Sequence, residues 1–141
     1  TTGGGSTTGG GFAPTGDAGT VEHQMYAVGV PDCAPNDGAA VHLYLSWEPL
    51  DCPVPSSEGL LIDVWTDALQ PGSYTLSPGF QDDGTACECG VVANIVESGS
   101  LTIESTDGGG ARGRVDLTFP QSSEVHGPLE ITMCPGSRQC G

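Results

Sequence analysis

Six cysteines are the residues of this sequence with the most evident chemistry. An even number of cysteines in a small, glycine-rich domain is typical of a disulfide scaffold formed in an oxidising compartment. We therefore expect all six to be oxidised. They are Cys33, Cys52, Cys87, Cys89, Cys134 and Cys140.

The motif Cys87-Glu88-Cys89 has a second interpretation, because a C-x-C spacing can bind a metal ion or exchange disulfides. In a strand, however, residues i and i+2 point to the same side and do not easily bond to each other. We therefore favour two separate disulfides that leave one face of a strand. The expected pairs are Cys33–Cys52, and Cys87 and Cys89 joined to Cys134 and Cys140 in either order.

Two turns rich in acidic residues are the candidate metal sites. Their oxygen atoms suit Ca²⁺, which binds about six to eight oxygen ligands. Neither turn has the D-x-D-x-D-G spacing, and aspartate and asparagine are also ordinary turn formers. The calcium candidates are therefore weak. They are Asp32, Asn36 and Asp37 around Cys33, and Asp82 and Asp83 before Cys87.

Histidines and tryptophans are few and scattered. His23, His42 and His126 have no metal-binding spacing, and His42 alternates with apolar residues, so we expect these histidines at the surface. Trp47 and Trp65 can stack on sugars, but both lie in apolar runs, which favours packing in the core. The G-x-S-x-G nucleophile motif is absent. The sequence thus selects no catalytic residue, and we expect a protein that is not an enzyme.

Short apolar runs between turn residues predict the elements that hold these side chains. The chain contains 23 glycines and 11 prolines, and no window has a helical period. Eight short strands with turn signals between them indicate an all-β, antiparallel β-sandwich or barrel. The predicted strands are residues 21–28, 41–47, 60–65, 73–76, 91–96, 101–105, 114–119 and 129–133.

The hairpin around Gly108–Gly110 can be predicted in more detail. A two-residue turn would set Ile103 opposite Arg114 and bury a charge. A three-residue loop closed by a bulge sets Glu104 opposite Arg114 on the outer face instead. A five-residue loop keeps the same faces but sets Glu104 opposite Arg112. The favoured three-residue loop gives the pairs Ile103–Val115 and Leu101–Leu117, with Phe119 also facing the core.

Residues 1–19 form a tail rich in glycine, threonine and serine, and residues 20–141 form a single domain. Fixing each backbone residue costs about 1–2 kcal/mol, so an ordered tail needs hydrogen bonds to something already folded. Glycine allows close approach and threonine favours extended backbone, so we expect the tail to lie along neighbouring subunits. Its threonines and serine can also carry O-linked sugars. The predicted contacts are Thr1, Thr2, Thr7, Thr8 and Phe12.

The net charge of −15 and the absence of lysine limit the choice of partners. Nucleic acids and anionic membranes would be repelled, whereas calcium or a basic partner would be attracted. No apolar run reaches the roughly 18–20 residues that a transmembrane segment requires. The chain starts at Thr1, which we interpret as the removal of an export signal. We therefore expect an extracellular or cell-surface location.

Several segments between residues 71 and 134 carry a family resemblance. PGSYTLSP at 71–78 is followed by SGSLTIES, GRVDLTFP and GPLEITMC, which ends at Cys134. This succession resembles the exported β-domains of bacterial lipoproteins and surface proteins. The resemblance implies an exported all-β domain without an assigned activity. Position 1, where a lipoprotein carries its acylated cysteine, is threonine here.

Two functions follow as hypotheses. The first is a non-enzymatic structural subunit of an extracellular filament or surface layer, a homo-oligomer in which the tail contacts neighbouring copies. In this hypothesis Arg112 and Arg114 form an outer stripe that docks on an acidic face of a neighbour. The alternative is a monomeric secreted or surface-anchored module that binds calcium or a glycan.

Overall fold

A computed structural model describes residues 20–36, 38–52, 59–89, 94–120, 123–136 and 140, without the side chains of residues 20–22. The predicted subunit contacts of the tail and the calcium candidate Asp37 lie outside the described residues. The predicted boundary between tail and domain, at residues 19 and 20, stays a prediction.

Ten strands lie in the described part of the chain. They are β1 (Thr20–Glu22), β2 (Met25–Cys33), β3 (Ala39–Ser46), β4 (Gly59–Val64), β5 (Gly72–Leu76), β6 (Gly84–Cys89), β7 (Asn94–Ile95), β8 (Ser98–Asp107), β9 (Gly110–Thr118) and β10 (Glu124–Met133). The prediction of an all-β, disulfide-bonded fold is confirmed.

Eight of these strands close into a barrel, the second of the two predicted architectures. The order around the barrel is β9, β8, β5, β6, β4, β3, β2 and β10, and β10 pairs back onto β9. The pairs β2–β10 and β5–β6 are parallel, whereas the other pairs around the barrel are antiparallel. Outside the closed ring, β1 continues the line of β2 along β10, and β7 pairs with β6.

The core fills the inside of the barrel. Successive side chains of a strand point to opposite faces, and in β3 Val41, Leu43 and Leu45 are buried while His42 and Tyr44 lie on the outer face. The same alternation in the other strands sends aliphatic side chains inward, with Phe119 as the largest fully buried side chain of the described residues. Eight strands leave an interior that such side chains can fill.

One predicted strand needs correction, and one observed strand was not predicted. Residues 91–93 lie outside the described part, and the remainder of the predicted strand 91–96 forms only the two-residue β7. The strand β6 was absent from the sequence prediction, because Thr85 is its single β-branched residue. Its pairing with β4 along the whole of Gly59–Val64 makes it a strand despite this composition.

The β8–β9 hairpin has the predicted faces but a different turn. Gly110 pairs with Asp107, so a two-residue turn replaces the predicted three-residue loop. A bulge between Arg112 and Gly113 then shifts the register. As a result, Leu101 lies opposite Val115, and Thr102 rather than Glu104 lies opposite Arg114. A two-residue turn followed by a regular ladder would set Ile103 opposite Arg114. The bulge skips Glu104 and shifts the pairing by one residue, so the apolar residues of both strands face the core.

At Gly113 the bulge needs a residue without a side chain. A Cβ atom there would collide with the carbonyl oxygen of Thr102. Because Gly113 has no Cβ atom, the backbones of β8 and β9 can approach each other at the bulge. Ile103 pairs with Gly113 there and is buried in the core. Leu101, Val115, Leu117 and Phe119 are buried as predicted.

All six cysteines are paired, but the predicted pairing is wrong. The disulfides are Cys33–Cys140, Cys52–Cys134 and Cys87–Cys89. The chain contracts at Glu88, where the Cα atoms of the flanking cysteines are 5.2 Å apart, compared with about 6.6 Å across two residues of a regular strand. This contraction permits the bond that strand geometry alone excludes.

Candidate functional site

The candidate site lies where β4 ends beside the loop that joins β5 to β6. The backbone amide of Trp65 donates to the carbonyl oxygen of Asp83 (2.8 Å). The backbone amide of Asp83 donates to the carbonyl oxygen of Thr75 (2.9 Å). The Asp83 carboxylate in turn accepts a hydrogen bond from the Thr75 amide (2.8 Å). Asp83 therefore holds the loop 77–83 against both neighbouring strands.

Trp65 and Phe80 form a stacked aromatic pair at this site. Their ring centroids are 4.9 Å apart and the ring planes are inclined by 28°, a favourable offset arrangement for two aromatic rings. Phe80 is 53% exposed, although it is a large apolar side chain. The indole Nε1 of Trp65 is buried and makes no hydrogen bond to any described atom. The pair thus presents the ring of Phe80 to solvent on a rigid support. We call it the aromatic platform.

Core packing, which the sequence predicts for both tryptophans, is correct only for Trp47. Trp47 packs against the core and meets the ring of His23 edge-on at 4.7 Å. Trp65 follows the buried Val64 and therefore lies on the outer side, where it is half-buried. Phe80 is not among the residues that the sequence predicts for a site. Its signal is a lone aromatic residue within the turn-forming segment Pro78–Gly84.

Exposed polar residues follow the aromatic platform in the chain. Gln81, Asp82 and Asp83 come directly after Phe80, and all three are exposed. The Asp83 carboxylate accepts from the Thr75 amide, so the same loop offers the Gln81 amide and the Asp82 carboxylate to a ligand.

Three of the calcium candidates in the described part of the chain, Asp32, Asn36 and Asp83, each accept a hydrogen bond from a backbone amide. The Asp32 carboxylate accepts from the amide of Cys33 (2.8 Å), and the Asn36 side chain accepts from that of Gly38 (2.9 Å). Asp83 binds the Thr75 amide. Within the described residues, no group of three or more acidic, histidine or cysteine side chains is arranged to hold a metal ion. These oxygens stabilise turns, as the ordinary role of such residues suggests.

His42 lies on the outer face, as predicted, between two carboxylates from the neighbouring strands. Its Nδ1 is 3.4 Å from Asp32 Oδ2, and its Nε2 is 3.4 Å from Asp63 Oδ1. Burial raises the pKa of Asp63, an effect that His42 opposes and Asp32 reinforces. Burial also raises the pKa of Tyr44, and the charges of Asp32 and Asp63 add to it.

His126 is held more tightly between two carboxylates. Its Nδ1 is 2.7 Å from Asp116 Oδ1, directly across the β9–β10 ladder, and its Nε2 is 2.8 Å from Glu124 Oε1. Burial alone would lower the pKa of His126, but the hydrogen bonds and charges of Glu124 and Asp116 outweigh it and raise the pKa. Both His42 and His126 have carboxylates of the described residues as side-chain partners, and these contacts join neighbouring strands on the outer face of the barrel.

The two arginines of β9 lie on the outer face, as predicted. Arg114 Nε is 3.2 Å from Asp116 Oδ1, and Arg112 is 4.0 Å from Glu130. Each of the two therefore has an acidic neighbour within the same molecule. Arg112, whose side chain is 72% exposed, presents most of its surface to solvent.

Two cavities lie side by side at Asp107, Gly110 and Ala111. Their volumes are about 280 and about 300 Å³, at the lower end of the roughly 300–1,000 Å³ of sites that enclose small molecules. The first has an apolar lining to which Leu69 and Met133 contribute. The aromatic platform is the stronger candidate, because an aromatic ring that is 53% exposed is stacked there on a second aromatic ring.

Comparisons with known proteins identify no relative of this chain. The chain matches no family model, no curated protein and no solved structure. In the described ranges, no helix has the length and hydropathy needed to cross a membrane.

Proposed function

We propose that this protein is an exported, non-enzymatic binding module that holds a sugar against the aromatic platform of Trp65 and Phe80. The observation that carries the proposal is the exposure of Phe80 on top of the Trp65 ring. A flat, exposed ring offers its face to the C–H groups of a sugar, while Gln81 and Asp82 accept hydrogen bonds from its hydroxyls.

The size of the exposed apolar surface favours a small ligand over a protein. Among the described residues, Phe80 and Ile95 are the exposed large hydrophobic side chains. A stable protein interface buries about 800 Å² on each partner with several apolar anchors. One exposed ring with a polar rim suits a ligand that covers a single ring.

Charge narrows the class of sugar. The net charge is −15, and the loop beside Phe80 contributes two exposed carboxylates. Anionic polysaccharides are repelled by this surface, whereas neutral and amino sugars are not. We therefore propose neutral or amino-sugar oligosaccharides as the ligand class.

Titration with neutral and amino-sugar hexasaccharides, followed by tryptophan fluorescence, tests the proposal. Phe80→Ala should weaken binding about tenfold or more, which corresponds to about 1.4 kcal/mol or more. Ile95→Ala is the matched control, because Ile95 is also large, apolar and exposed (40%); it should change affinity less than twofold. Binding to none of the sugars, or equal losses in both variants, would reject the proposal.

A subunit of an extracellular assembly is the second candidate. The outward position of Arg112 and Arg114 favours it, because both lie on the outer face of β9 on an otherwise acidic protein. Reversing both charges should weaken self-association without unfolding the barrel, and deleting residues 1–12 should do the same. Light scattering that finds a monomer of 14.3 kDa at all concentrations would reject the assembly.

A further inference from the structure

The disulfide Cys87–Cys89 joins two residues of one strand, so it holds no two elements of the barrel together. The other two disulfides join residues 107 and 82 positions apart. A three-residue loop restricts the unfolded chain far less than such long loops do. The structural role that explains Cys33–Cys140 and Cys52–Cys134 therefore explains little of Cys87–Cys89.

Both sulfur atoms lie on the outer side of β6. Ala86 is buried opposite Ile62. Cys87 and Cys89 follow it by one and three positions, so their side chains point to the opposite, outer face. Cys87 and Cys89 are half-buried, as are Cys33, Cys52 and Cys140, whereas Cys134 is buried. A reagent in solution can reach the local pair from outside the barrel.

The residue opposite Cys89 across the β4–β6 ladder is Gly59, and directly opposed residues of an antiparallel pair share a face. Within the described ranges, no atom lies within 4 Å of the position that a Cβ atom would occupy at Gly59. None of the described side chains therefore fills the position across the ladder from Cys89.

Hydrogen bonds on both sides hold the C-x-C segment in place. β4 pairs with it on one side, and on the other Cys87 pairs with Ile95 and Glu88 with Asn94. The side-chain Nδ2 of Asn94 also donates to Glu88 Oε1 at 2.7 Å. Since these contacts do not involve sulfur, they remain after reduction and keep the two thiols close. The bond can then form again between the same partners.

We propose that Cys87–Cys89 is a site of reversible thiol–disulfide exchange with a dithiol or thiol of the surrounding compartment. A thiolate of the reagent attacks Cys89 Sγ, the bond between the two cysteines breaks, and Cys87 leaves as a thiolate that takes up a proton. The second thiolate of a dithiol then attacks the reagent sulfur of the mixed disulfide and releases Cys89. Two electrons pass to the protein, and the reagent becomes a disulfide. The reverse reaction oxidises the protein.

Timed reduction of the native, fully oxidised protein by dithiothreitol tests this site. Samples are quenched with N-ethylmaleimide, and the labelled cysteines are located by peptide mass spectrometry. Cys87 and Cys89 should be labelled at least tenfold faster than the other four, with an unchanged near-ultraviolet circular dichroism spectrum. Oxidised glutathione should then restore the same pair.

The double variant Cys87→Ser/Cys89→Ser is the matched control. It should lose the fast phase of dithiothreitol consumption and keep the slow phases. A fast phase that persists would assign the reactive bond to another pair. Labelling of Cys87 and Cys89 without reductant, labelling no faster than the long-range pairs, or reoxidation to different partners would each overturn the proposal.

Discussion

Two pairs of parallel strands, β2–β10 and β5–β6, help to close the barrel at different places. In the first, Met25 to Gly29 pair with Leu129 to Met133, and β1 extends the same register by three further pairs. In the second, Leu76 pairs with Gly84 alone. The first is the strong seam and the second the weak seam of this molecule.

The cross-links follow the same division. Cys33 ends β2 and is bonded to Cys140, and Cys134 follows β10 and is bonded to Cys52. The weak seam instead has the Asp83–Thr75 hydrogen bonds, the aromatic platform and, further along β6, the Cys87–Cys89 bond. Segments with few ladder bonds open at lower free energy than the rest of a domain. The aromatic platform thus lies beside the part of the wall with the fewest ladder pairs, whereas Cys87–Cys89 lies where β6 is paired on both sides.

Removing a long-range disulfide should have the largest effect. Cys52→Ser/Cys134→Ser is expected to lower the free energy of unfolding by about 3–4 kcal/mol, because Cys33–Cys140 stays closed and Cys52–Cys134 then closes the shorter loop that runs through it. Cys87→Ser/Cys89→Ser should lower it by only about 1.5 kcal/mol, because its loop contains three residues. Guanidinium unfolding of both variants measures the difference. Equal losses would remove the distinction between the two kinds of cross-link.

A side chain at the weak seam should have the next largest effect. A Cβ atom at Gly84 would collide with the carbonyl oxygen of Asp63 and press on Leu76, so Gly84→Ala should cost about 1–3 kcal/mol. Gly79→Ala, in the same loop region, is the control, because a Cβ atom there has no neighbour within 4 Å. Equal stability of the two variants in urea would show that the seam can shift to admit the methyl group.

Loss of the Asp83 carboxylate should have a moderate effect. Asp83→Ala removes the acceptor of the Thr75 amide and should cost about 1 kcal/mol. Hydrogen exchange should become faster at Thr75 and at the amide of Ser77, which donates to Gly84. Asp82→Ala is the control, because Asp82 is the exposed neighbour in the same loop. If exchange accelerates equally in both variants, the carboxylate is not what holds the loop.

The smallest effect concerns pH at His126, on the β10 side of the strong seam. The folded pKa is raised above the unfolded value of about 6.5, so the charged histidine stabilises the fold. This contribution is fully present below pH 6.5 and is lost as pH rises through the raised pKa. For a partly exposed ion pair it amounts to less than about 1 kcal/mol.

His126→Gln measures that contribution. The stability difference between the native protein and the variant should be largest near pH 6 and should shrink as pH rises through the folded pKa. A difference that is independent of pH would mean that the two carboxylates act as hydrogen-bond acceptors only. The Cys33–Cys140 and Cys52–Cys134 bonds do not titrate in this range, so they leave the profile unchanged.

The sequence predicts the strong seam better than the weak one. Residues 129–133 and 21–28 are recognisable strands, and they coincide with the second half of β10, with most of β1 and with the first part of β2. β6 is not recognisable, because its composition lacks the usual β-branched residues and only its position beside β4 makes it a strand. The sequence also does not predict that the ring of Phe80 is exposed, because its exposure depends on where the loop lies against Trp65.

Local sequence patterns predicted the all-β class and the outward position of Arg114 and His42. They also predicted the buried positions of Leu101, Ile103, Val115, Leu117 and Phe119. These properties follow from the two-residue period of a strand, which each segment carries by itself. Only the tertiary structure decided the two-residue turn with its bulge, the closure into a barrel, the aromatic platform and the partner of each cysteine. These depend on which distant backbones lie side by side, or on a local contraction at Glu88, and neither is visible in a pattern of residue types.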